Sequence, residues 1–252
     1  MKALLNVTWH CNLDSCPYCW VRQRIVNRQE QPEVDYRKWA EALLAEQRIT
    51  HVDFVGGEPL IYPGLHKLIK DIAKQKTWAI TTNLVSNNFM EFLNDPIPGC
   101  QAFTCSWHPS SGTPVSAFVE RVIRLGRIYP TSINILENAS KALEYEQEFK
   151  YRGFNVFVSP YENIRLAKEM PRLLTCNGGV SHCVLDPVGN VYPCLSLLRR
   201  PDSDRFIMGN VFTKVTWHNV RLYCRSYCFD YDVLYQRHHC FDMWGLDIKE
   251  EK

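Results

Sequence analysis

Short apolar runs alternate with amphipathic helical stretches along the first 160 residues of this 252-residue chain. The predicted strands are residues 3–9, 50–55, 78–83, 102–107, 132–136 and 154–160, and the predicted helices are 36–48, 65–75, 87–94, 114–126 and 139–151. Strands separated by helices of this length pair in parallel through right-handed crossovers. Six such units are too few for a closed eight-unit barrel. The sequence therefore predicts an α/β fold, a partial (β/α)6 TIM-like barrel with a small cysteine-rich C-terminal appendage.

A loop containing three cysteines follows the first predicted strand. Cys11, Cys16 and Cys19 lie in the stretch WHCNLDSCPYCW, residues 9–20. The chain has no apolar run of membrane-spanning length and no signal peptide, so we expect a cytoplasmic protein without a membrane partner. Cytosolic thiols stay reduced, and an odd total of eleven cysteines fits metal ligands better than disulfides. The net charge of +2 does not indicate nucleic acid, which is not an expected partner.

Two kinds of metal centre fit this loop. Three thiolates leave one iron of a [4Fe–4S] cube open to an outside ligand. The same thiolates with His10 would instead form a tetrahedral zinc site. Zinc leaves unexplained the Gly-Gly-Glu-Pro run at residues 56–59, which follows the second predicted strand. The cysteine loop by itself leaves both metal centres open.

The Gly-Gly-Glu-Pro run has a physical reason of its own. In a β/α barrel, functional residues gather on the loops that follow the carboxyl ends of the strands. Gly56 and Gly57 lack a Cβ and let the backbone approach a ligand closely, while Pro59 fixes the turn that follows. We expect a ligand site where this run meets the cysteine loop.

These features together resemble the radical S-adenosylmethionine (radical SAM) enzymes. The resemblance covers about residues 3–160 and implies that Cys11, Cys16 and Cys19 hold a [4Fe–4S] cluster whose open iron binds the amino and carboxylate groups of SAM. The cofactor-binding residues that it implies in the two loops are Tyr18, Gly56, Gly57, Glu58 and Pro59. The usual spacing in the family is C-x3-C-x2-C, whereas this chain has C-x4-C-x2-C.

Polar residues at the ends of later strands are further candidates. The resemblance implies SAM contacts for Thr82, Asn83, Ser106 and Asn134, with Thr81 and Ser159 in similar positions. Strand-end capping and turn formation explain the same residues without a ligand. The catalytic residues are not assigned by the sequence. His108 is the candidate for facing the substrate or donating a proton, and a structural role is its alternative.

Six cysteines lie after about residue 170, namely Cys176, Cys183, Cys194, Cys224, Cys228 and Cys240. The turn sequence DPVGN, residues 186–190, predicts a hairpin that brings Cys183 close to Cys194. The region resembles the SPASM or twitch domain, which implies one auxiliary [4Fe–4S] cluster; a zinc ribbon is the alternative. We expect domains at 1–170 and 171–252, the second held together by metal because it has few core-forming residues. Cys100 and Cys105 are expected to be core residues.

The resemblance implies an enzyme that reductively cleaves SAM to methionine and a 5′-deoxyadenosyl radical. The radical would abstract hydrogen from a peptide or protein side chain, or from a small molecule, which is oxidised or cross-linked. A flavodoxin or ferredoxin is the expected electron donor. Because the first strand begins almost at Met1, we expect no N-terminal peptide-recognition domain on this chain. The alternative function is a non-catalytic zinc-binding module that braces a nucleic-acid or protein contact surface.

Overall fold

The structure, a computed structural model, describes residues 1–13, 16, 19, 21, 33–136, 139–158, 172–176, 178–199, 202–218 and 220–224. Tyr18, Ser159, Cys228 and Cys240 lie outside these residues, and so does the expected domain boundary near residue 170. For Cys176 and Cys224 only the backbone is described.

The chain alternates strands and helices as the sequence predicts. The strands are Lys2–Thr8 (β1), His51–Gly56 (β2), Thr77–Thr82 (β3), Cys100–Trp107 (β4), Thr131–Ile135 (β5), Val156–Val158 (β6), Arg172–Cys176 (β7), His182–Leu185 (β8), Asn190–Tyr192 (β9), Gly209–Asn210 (β10), Lys214–Val215 (β11) and Val220–Cys224 (β12). The α-helices are Tyr36–Ala45 (α1), Leu65–Ile72 (α2), Phe89–Asn94 (α3), Val115–Gly126 (α4), Ala139–Tyr151 (α5) and Leu195–Leu198 (α6). The six strands and five helices predicted for the first 160 residues are confirmed, with ends that differ by a few residues.

One sheet of ten strands organises the molecule. Its strand order is β11-β10-β9-β8-β1-β2-β3-β4-β5-β6, while β7 and β12 form a separate antiparallel ladder. Strands β1 to β6 are parallel neighbours in chain order, as predicted. Strand β8 pairs in parallel with the free side of β1, and β9 to β11 continue antiparallel. Within the described residues β6 and β11 are the edges, so the barrel is partial and open.

Local sequence explains why α1 begins and which side it buries. The Asp35 carboxylate accepts a hydrogen bond from the Arg37 backbone N–H at 2.8 Å, which satisfies one unpaired donor of the first turn. Trp39, Ala40 and Leu43 recur at helical spacing and are buried against the sheet. No helix within the described ranges is long and apolar enough to cross a membrane.

Aromatic rings fill much of the core between the parallel strands and the helices. Trp78, Phe92, Phe103 and Tyr129 pack with ring centroids 5.6 to 6.2 Å apart, mostly edge to face. Cys105 is fully buried in the same core, as expected for a small apolar residue. The strands that carry the predicted site residues are therefore closely packed on this face.

The opposite face of these strands is polar toward their carboxyl ends. The strand register sets Thr81 beside Thr104, and Thr104 beside Ser132. Two residues farther along, Ser106 lies beside Asn134. Because successive side chains of a strand point to opposite faces, these polar groups share the inner side of the open barrel while their neighbours pack under the helices. The two predicted residues Ser106 and Asn134 are therefore adjacent.

Strands β8 to β11 contradict the expectation that the C-terminal region has few core-forming residues. Cys183, Leu185, Val191 and Met208 are buried in the same core as β1 to β6, so residues 182–215 are not a region that lacks core-forming residues. The predicted hairpin is confirmed, since β8 and β9 pair antiparallel across residues 186–190. The expectation was wrong because β8 pairs with β1, near the other end of the chain, and local sequence does not reveal distant pairing.

We expect Leu185→Ala to lower the free energy of unfolding of the whole barrel by about 2–5 kcal/mol, because it leaves a cavity in the shared core. Urea unfolding followed by tryptophan fluorescence measures this, since Trp39 and Trp78 are fully buried in the barrel core. Tyr151→Ala, at a residue that is 94% exposed, is the control and should change little. If Leu185→Ala leaves the urea midpoint of the barrel unchanged, β8 unfolds separately from the barrel.

Candidate functional site

The Gly-Gly-Glu-Pro run continues the pairing of β1 with β2 beyond the ends of both strands. The Gly57 N–H donates to the Thr8 carbonyl at 2.9 Å, and the Glu58 N–H donates to the His10 carbonyl at 2.8 Å. A Cβ on Gly57 would lie 1.9 Å from the His10 carbonyl oxygen, and Gly56 has a φ of +128° that side chains rarely adopt. The two glycines are therefore needed for the close approach of the chain that leads into Cys11.

Glu58 is a buried carboxylate that joins the ends of β2 and β3. Its Oε1 accepts hydrogen bonds from the Leu60 N–H at 3.0 Å and the Thr82 hydroxyl at 2.6 Å, and its Oε2 accepts one from the Asn83 N–H at 2.7 Å. Burial raises the pKa of Glu58 to about 7, against the opposing effect of these donors. Both carboxylate oxygens are engaged within the protein. Pro59 is buried beside it at the start of a short 3₁₀ turn, Pro59–Ile61.

Asn83 connects the end of β3 to the cysteine loop. Its Nδ2 donates to the Asn12 Oδ1 at 2.8 Å and lies 3.9 Å from the Cys11 Sγ, while its Oδ1 accepts from the Val85 N–H at 2.8 Å. Asn12 was not singled out in the sequence, although its place directly after Cys11 was a usable signal. The side chain predicted to contact SAM thus holds the cysteine loop in place.

The three loop cysteines lie close enough to influence one another electrostatically. The Leu13 N–H donates to the Cys11 Sγ at 3.4 Å, and the Cys19 N–H donates to the Cys16 carbonyl at 3.2 Å. Burial, with smaller contributions from the charges of Glu58, Cys16 and Cys19, raises the pKa of the Cys11 thiol to about 12. Three thiolates here are unfavourable unless bound cations compensate their charge.

This donor set fits an iron–sulfur cluster in its chemistry. Thiolates are the usual ligands of iron–sulfur clusters, and bound metal deprotonates a coordinating thiol outright. Within the described residues, no three His, Cys, Asp or Glu side chains are arranged to hold one metal ion. A four-iron cluster requires a different arrangement, because each cysteine binds its own iron.

His108 follows β4 and reaches the cysteine loop. Its Nδ1 lies 3.7 Å from the Cys16 Sγ. Burial lowers the pKa of His108 to about 4, so the ring is neutral at pH 7 and carries a single proton. This neutral ring contacts one of the predicted cluster ligands, which the sequence did not predict.

The remaining predicted cofactor contacts are Thr82, which pairs with Cys105 on the face covered by helices, and Ser106 and Asn134 on the polar inner face. The Thr82 hydroxyl donates to Glu58 and accepts from the Leu84 N–H at 3.0 Å, so it too is engaged within the protein. Ser106 is buried, and the Asn134 Oδ1 is buried without a hydrogen-bond donor among the described residues. A buried acceptor of this kind is satisfied by a ligand that brings a donor.

A buried pair deeper on β2 was missed in the sequence. The His51 Nδ1 lies 2.8 Å from the Thr77 Oγ1, and its Nε2 lies 3.4 Å from the Asp53 Oδ1. The Asp53 Oδ2 is buried and has no hydrogen-bond partner in the described part of the chain. The aspartate inside the apolar run THVDFV was the signal for this pair.

Four of the tail cysteines lie within the described residues, and they are in different parts of the fold. Cys183 is 1% exposed within the apolar core, and burial raises the pKa of its thiol. Cys194 precedes α6 and is partly exposed. In the β7–β12 ladder Cys176 pairs with Val220, four residues from Cys224, so the two cysteines lie at opposite ends, about 13 Å apart along the strands.

Glu58→Gln should remove a pH dependence from folding stability. Since the pKa of Glu58 in the folded protein is about 7, the folded state keeps a proton that the unfolded chain releases above about pH 4.5. The free energy of unfolding should therefore fall by up to about 1.4 kcal/mol per pH unit between pH 5 and pH 7 because of this group. Urea unfolding at intervals of half a pH unit measures the slope in both proteins. If the free energy of unfolding depends on pH in the same way in both proteins, the raised pKa is contradicted, even if the variant is less stable at every pH.

Comparisons with known proteins agree with this geometry. The family model for the radical SAM superfamily matches residues 5–142. The fold is similar to native anSMEcpe with bound AdoMet and a Cp18Cys peptide, at 15% identity and a TM-score of 0.58, covering 85% of this chain and 78% of that one. It is also similar to Streptococcus suis SuiB bound to S-adenosylmethionine, at 14% identity and a TM-score of 0.51, covering 84% of this chain and 63% of that one. No curated protein sequence matches the chain.

The two structural similarities, at these identities, concern the fold alone. The family match covers more than half of the 252 residues and includes the cysteine loop, the Gly-Gly-Glu-Pro run, part of β1 and all of β2 to β5. The chain therefore belongs to the radical SAM superfamily, whose members use a [4Fe–4S] cluster and SAM.

Proposed function

We propose that this protein reductively cleaves SAM and uses the resulting radical to abstract hydrogen from a substrate, which is oxidised or cross-linked. When bound and reduced, the cluster supplies the electron that splits SAM into methionine and a 5′-deoxyadenosyl radical. The observation that carries the proposal is the cysteine loop itself, whose backbone is paired to the Gly-Gly-Glu-Pro run and so lies at the carboxyl end of the parallel strands.

Cys11, Cys16 and Cys19 are the proposed cluster ligands. All three residues are partly exposed, and the Leu13 N–H and the Asn83 amide approach the Cys11 sulfur. Donors at a thiolate reduce its effective charge and fix its orientation. These contacts favour a Cys11 thiolate that is ready to bind an iron ion.

SAM is proposed to lie between the cysteine loop and the inner face of β2 to β5. The side chains of Glu58, Thr82 and Asn83 hold the strand ends together, so these three residues would act on SAM through their backbone groups or through the shape that they impose. The buried Asn134 Oδ1 and the neighbouring Ser106 hydroxyl offer an acceptor and a donor for a polar ligand. Tyr18 remains a proposed contact that lies outside the described residues.

The tail is proposed to be a SPASM- or twitch-like appendage with one auxiliary [4Fe–4S] cluster. Cys176, Cys194, Cys224, Cys228 and Cys240 are the candidate ligands. Cys183 is the least suitable, because its thiol is enclosed by the apolar core. The confirmed hairpin at residues 186–190 supports the resemblance, and the sharing of one core by β8 and the barrel supports a fixed position for the appendage.

The substrate is proposed to be a peptide or protein side chain or a small polar molecule. Polar groups line the inner face, and the Asp53 Oδ2 and Asn134 Oδ1 are buried acceptors that suit hydrogen-bond donors. One structural neighbour is described with a bound Cp18Cys peptide, which agrees with a peptide substrate. Radical SAM enzymes need a reductant, for which we propose a flavodoxin or ferredoxin in the cytoplasm.

The triple variant Cys11→Ala/Cys16→Ala/Cys19→Ala tests both clusters together. After anaerobic reconstitution we expect about eight irons in the wild type and about four in the variant, because only the auxiliary cluster remains. The variant should form no 5′-deoxyadenosine from SAM under reducing conditions. Iron, sulfide and 5′-deoxyadenosine are measured per chain, and far-UV circular dichroism checks the fold.

Cys100→Ala, at a cysteine outside both predicted ligand sets, is the control and should keep its iron and its SAM cleavage. About four irons in the wild type and none in the triple variant would support the SAM cluster and contradict the proposed auxiliary cluster. Equal iron in both proteins, or a colourless wild type with stoichiometric zinc, would contradict the proposed function.

Gly57→Val should lose most of the SAM cluster as well as SAM binding. Any Cβ here meets the His10 carbonyl, so the strand end that leads into Cys11 has to move. Iron content and equilibrium binding of SAM are the measurements. Gly153→Asn is the control, because Gly153 has a φ of +84° with no atom within 4 Å of an added Cβ, and asparagine tolerates that backbone region. If the variant keeps its iron but loses affinity for SAM, Gly57 is needed only for the close approach of SAM and not for the cysteine loop.

A further inference from the structure

His108 is placed against the cysteine loop by rigid parts of the fold. It directly follows β4, whose pairing with β5 continues through a hydrogen bond from the Leu136 N–H to the Trp107 carbonyl at 3.1 Å. Trp107 is buried, and Pro109 begins the next short turn, Pro109–Ser111. The ring therefore projects from a fixed backbone and reaches Cys16, 92 positions away in sequence, with 3.7 Å between Nδ1 and Sγ.

The chemistry of this contact has a defined direction. A thiolate sulfur carries no proton, so it accepts a hydrogen bond and the histidine nitrogen must donate. A thiolate at Cys16 would hold a histidine proton on Nδ1, because this is the ring nitrogen that lies 3.7 Å from the sulfur. The contact is then an N–H donor directed at a negatively charged sulfur.

Cys11 has a corresponding arrangement on the neighbouring strand. Asn83 follows β3 and brings its Nδ2 to 3.9 Å from the Cys11 Sγ. The ends of two adjacent strands, β3 and β4, thus each direct one side-chain nitrogen at one of the predicted ligands. Packing alone would not require a polar group at both places.

We infer that His108 is a positioning residue of the cluster site, whose Nδ1–H donates to the Cys16 sulfur and stabilises the reduced state of the cluster. The inference rests on the proposed role of Cys16 as a ligand. Hydrogen bonds to cluster sulfurs are among the determinants of reduction potential, since reduction adds negative charge that donors stabilise. His108 then acts on the first electron transfer and does not act as an acid toward the substrate.

The test compares His108→Leu with His108→Asn. Leucine has a similar volume and no donor, whereas the asparagine amide nitrogen can occupy the position of Nδ1. The reconstituted full chain is titrated with a reductant, and the reduced cluster is followed by the EPR signal that changes when SAM is added, which separates it from any auxiliary cluster. We expect a lower midpoint potential in His108→Leu and a value close to the wild type in His108→Asn. Iron content should be unchanged in both.

A second readout and a matched control complete the test. Pulsed EPR of protein labelled with ¹⁵N-histidine should detect a weak nitrogen coupling in the reduced wild type that His108→Leu lacks. His218→Leu, at an exposed histidine, is the control and should change neither the potential nor the coupling.

Two results would overturn the inference. An unchanged potential in His108→Leu would mean that the contact has no effect on the cluster, and a loss of about four irons would mean that His108 holds the cluster directly. A wild type without a SAM-responsive cluster would instead contradict the proposed function, so the two failures are distinguishable.

Discussion

The buried carboxylate of Glu58 is the interaction on which the rest of the site depends. It accepts three hydrogen bonds from the turn after β2 and from the end of β3, and its own backbone N–H is bonded to His10. One residue thereby fixes three chain segments that local sequence leaves independent. A buried carboxylate is costly without such donors, so the donors and the carboxylate stabilise one another. Loss of either would release the strand end that positions Cys11.

A small apolar cluster gives the cysteine loop its second support. It consists of Leu4, Trp9, Val21, Val184, Tyr192 and Leu198, with Cys19 and Phe206 packed against it. The cluster combines residues from β1, the cysteine loop and the strands after residue 182. Burial of apolar side chains from both ends of the chain ties the loop to the tail. The tail therefore contributes to the geometry of the first metal site through packing, whatever its own cysteines bind.

The sequence predicted the parallel barrel well, because each strand and helix carries its own period of apolar residues and consecutive units pair as neighbours. It predicted the β8–β9 hairpin from Asp186 and Gly189 for the same local reason. It did not predict that β8 would pair with β1, since that pairing joins segments far apart in the chain. The ten-stranded sheet follows from this one non-local contact.

The sequence could place the candidate residues at the strand ends, but the contacts of their side chains depend on distances that spacing does not provide. The family resemblance implies SAM contacts for Glu58 and Asn83, and the structure adds that the Glu58 side chain is bonded to the end of β3 and the Asn83 side chain to the cysteine loop. His108 was considered as a proton donor, and it contacts Cys16. A polar side chain at a strand end can contact the ligand itself or the loop that holds the ligand. The sequence pattern is the same in the two cases. In this chain the Asn83 and His108 side chains contact the cysteine loop, whereas Ser106 and Asn134 lie side by side on the inner face, where we propose that they meet SAM.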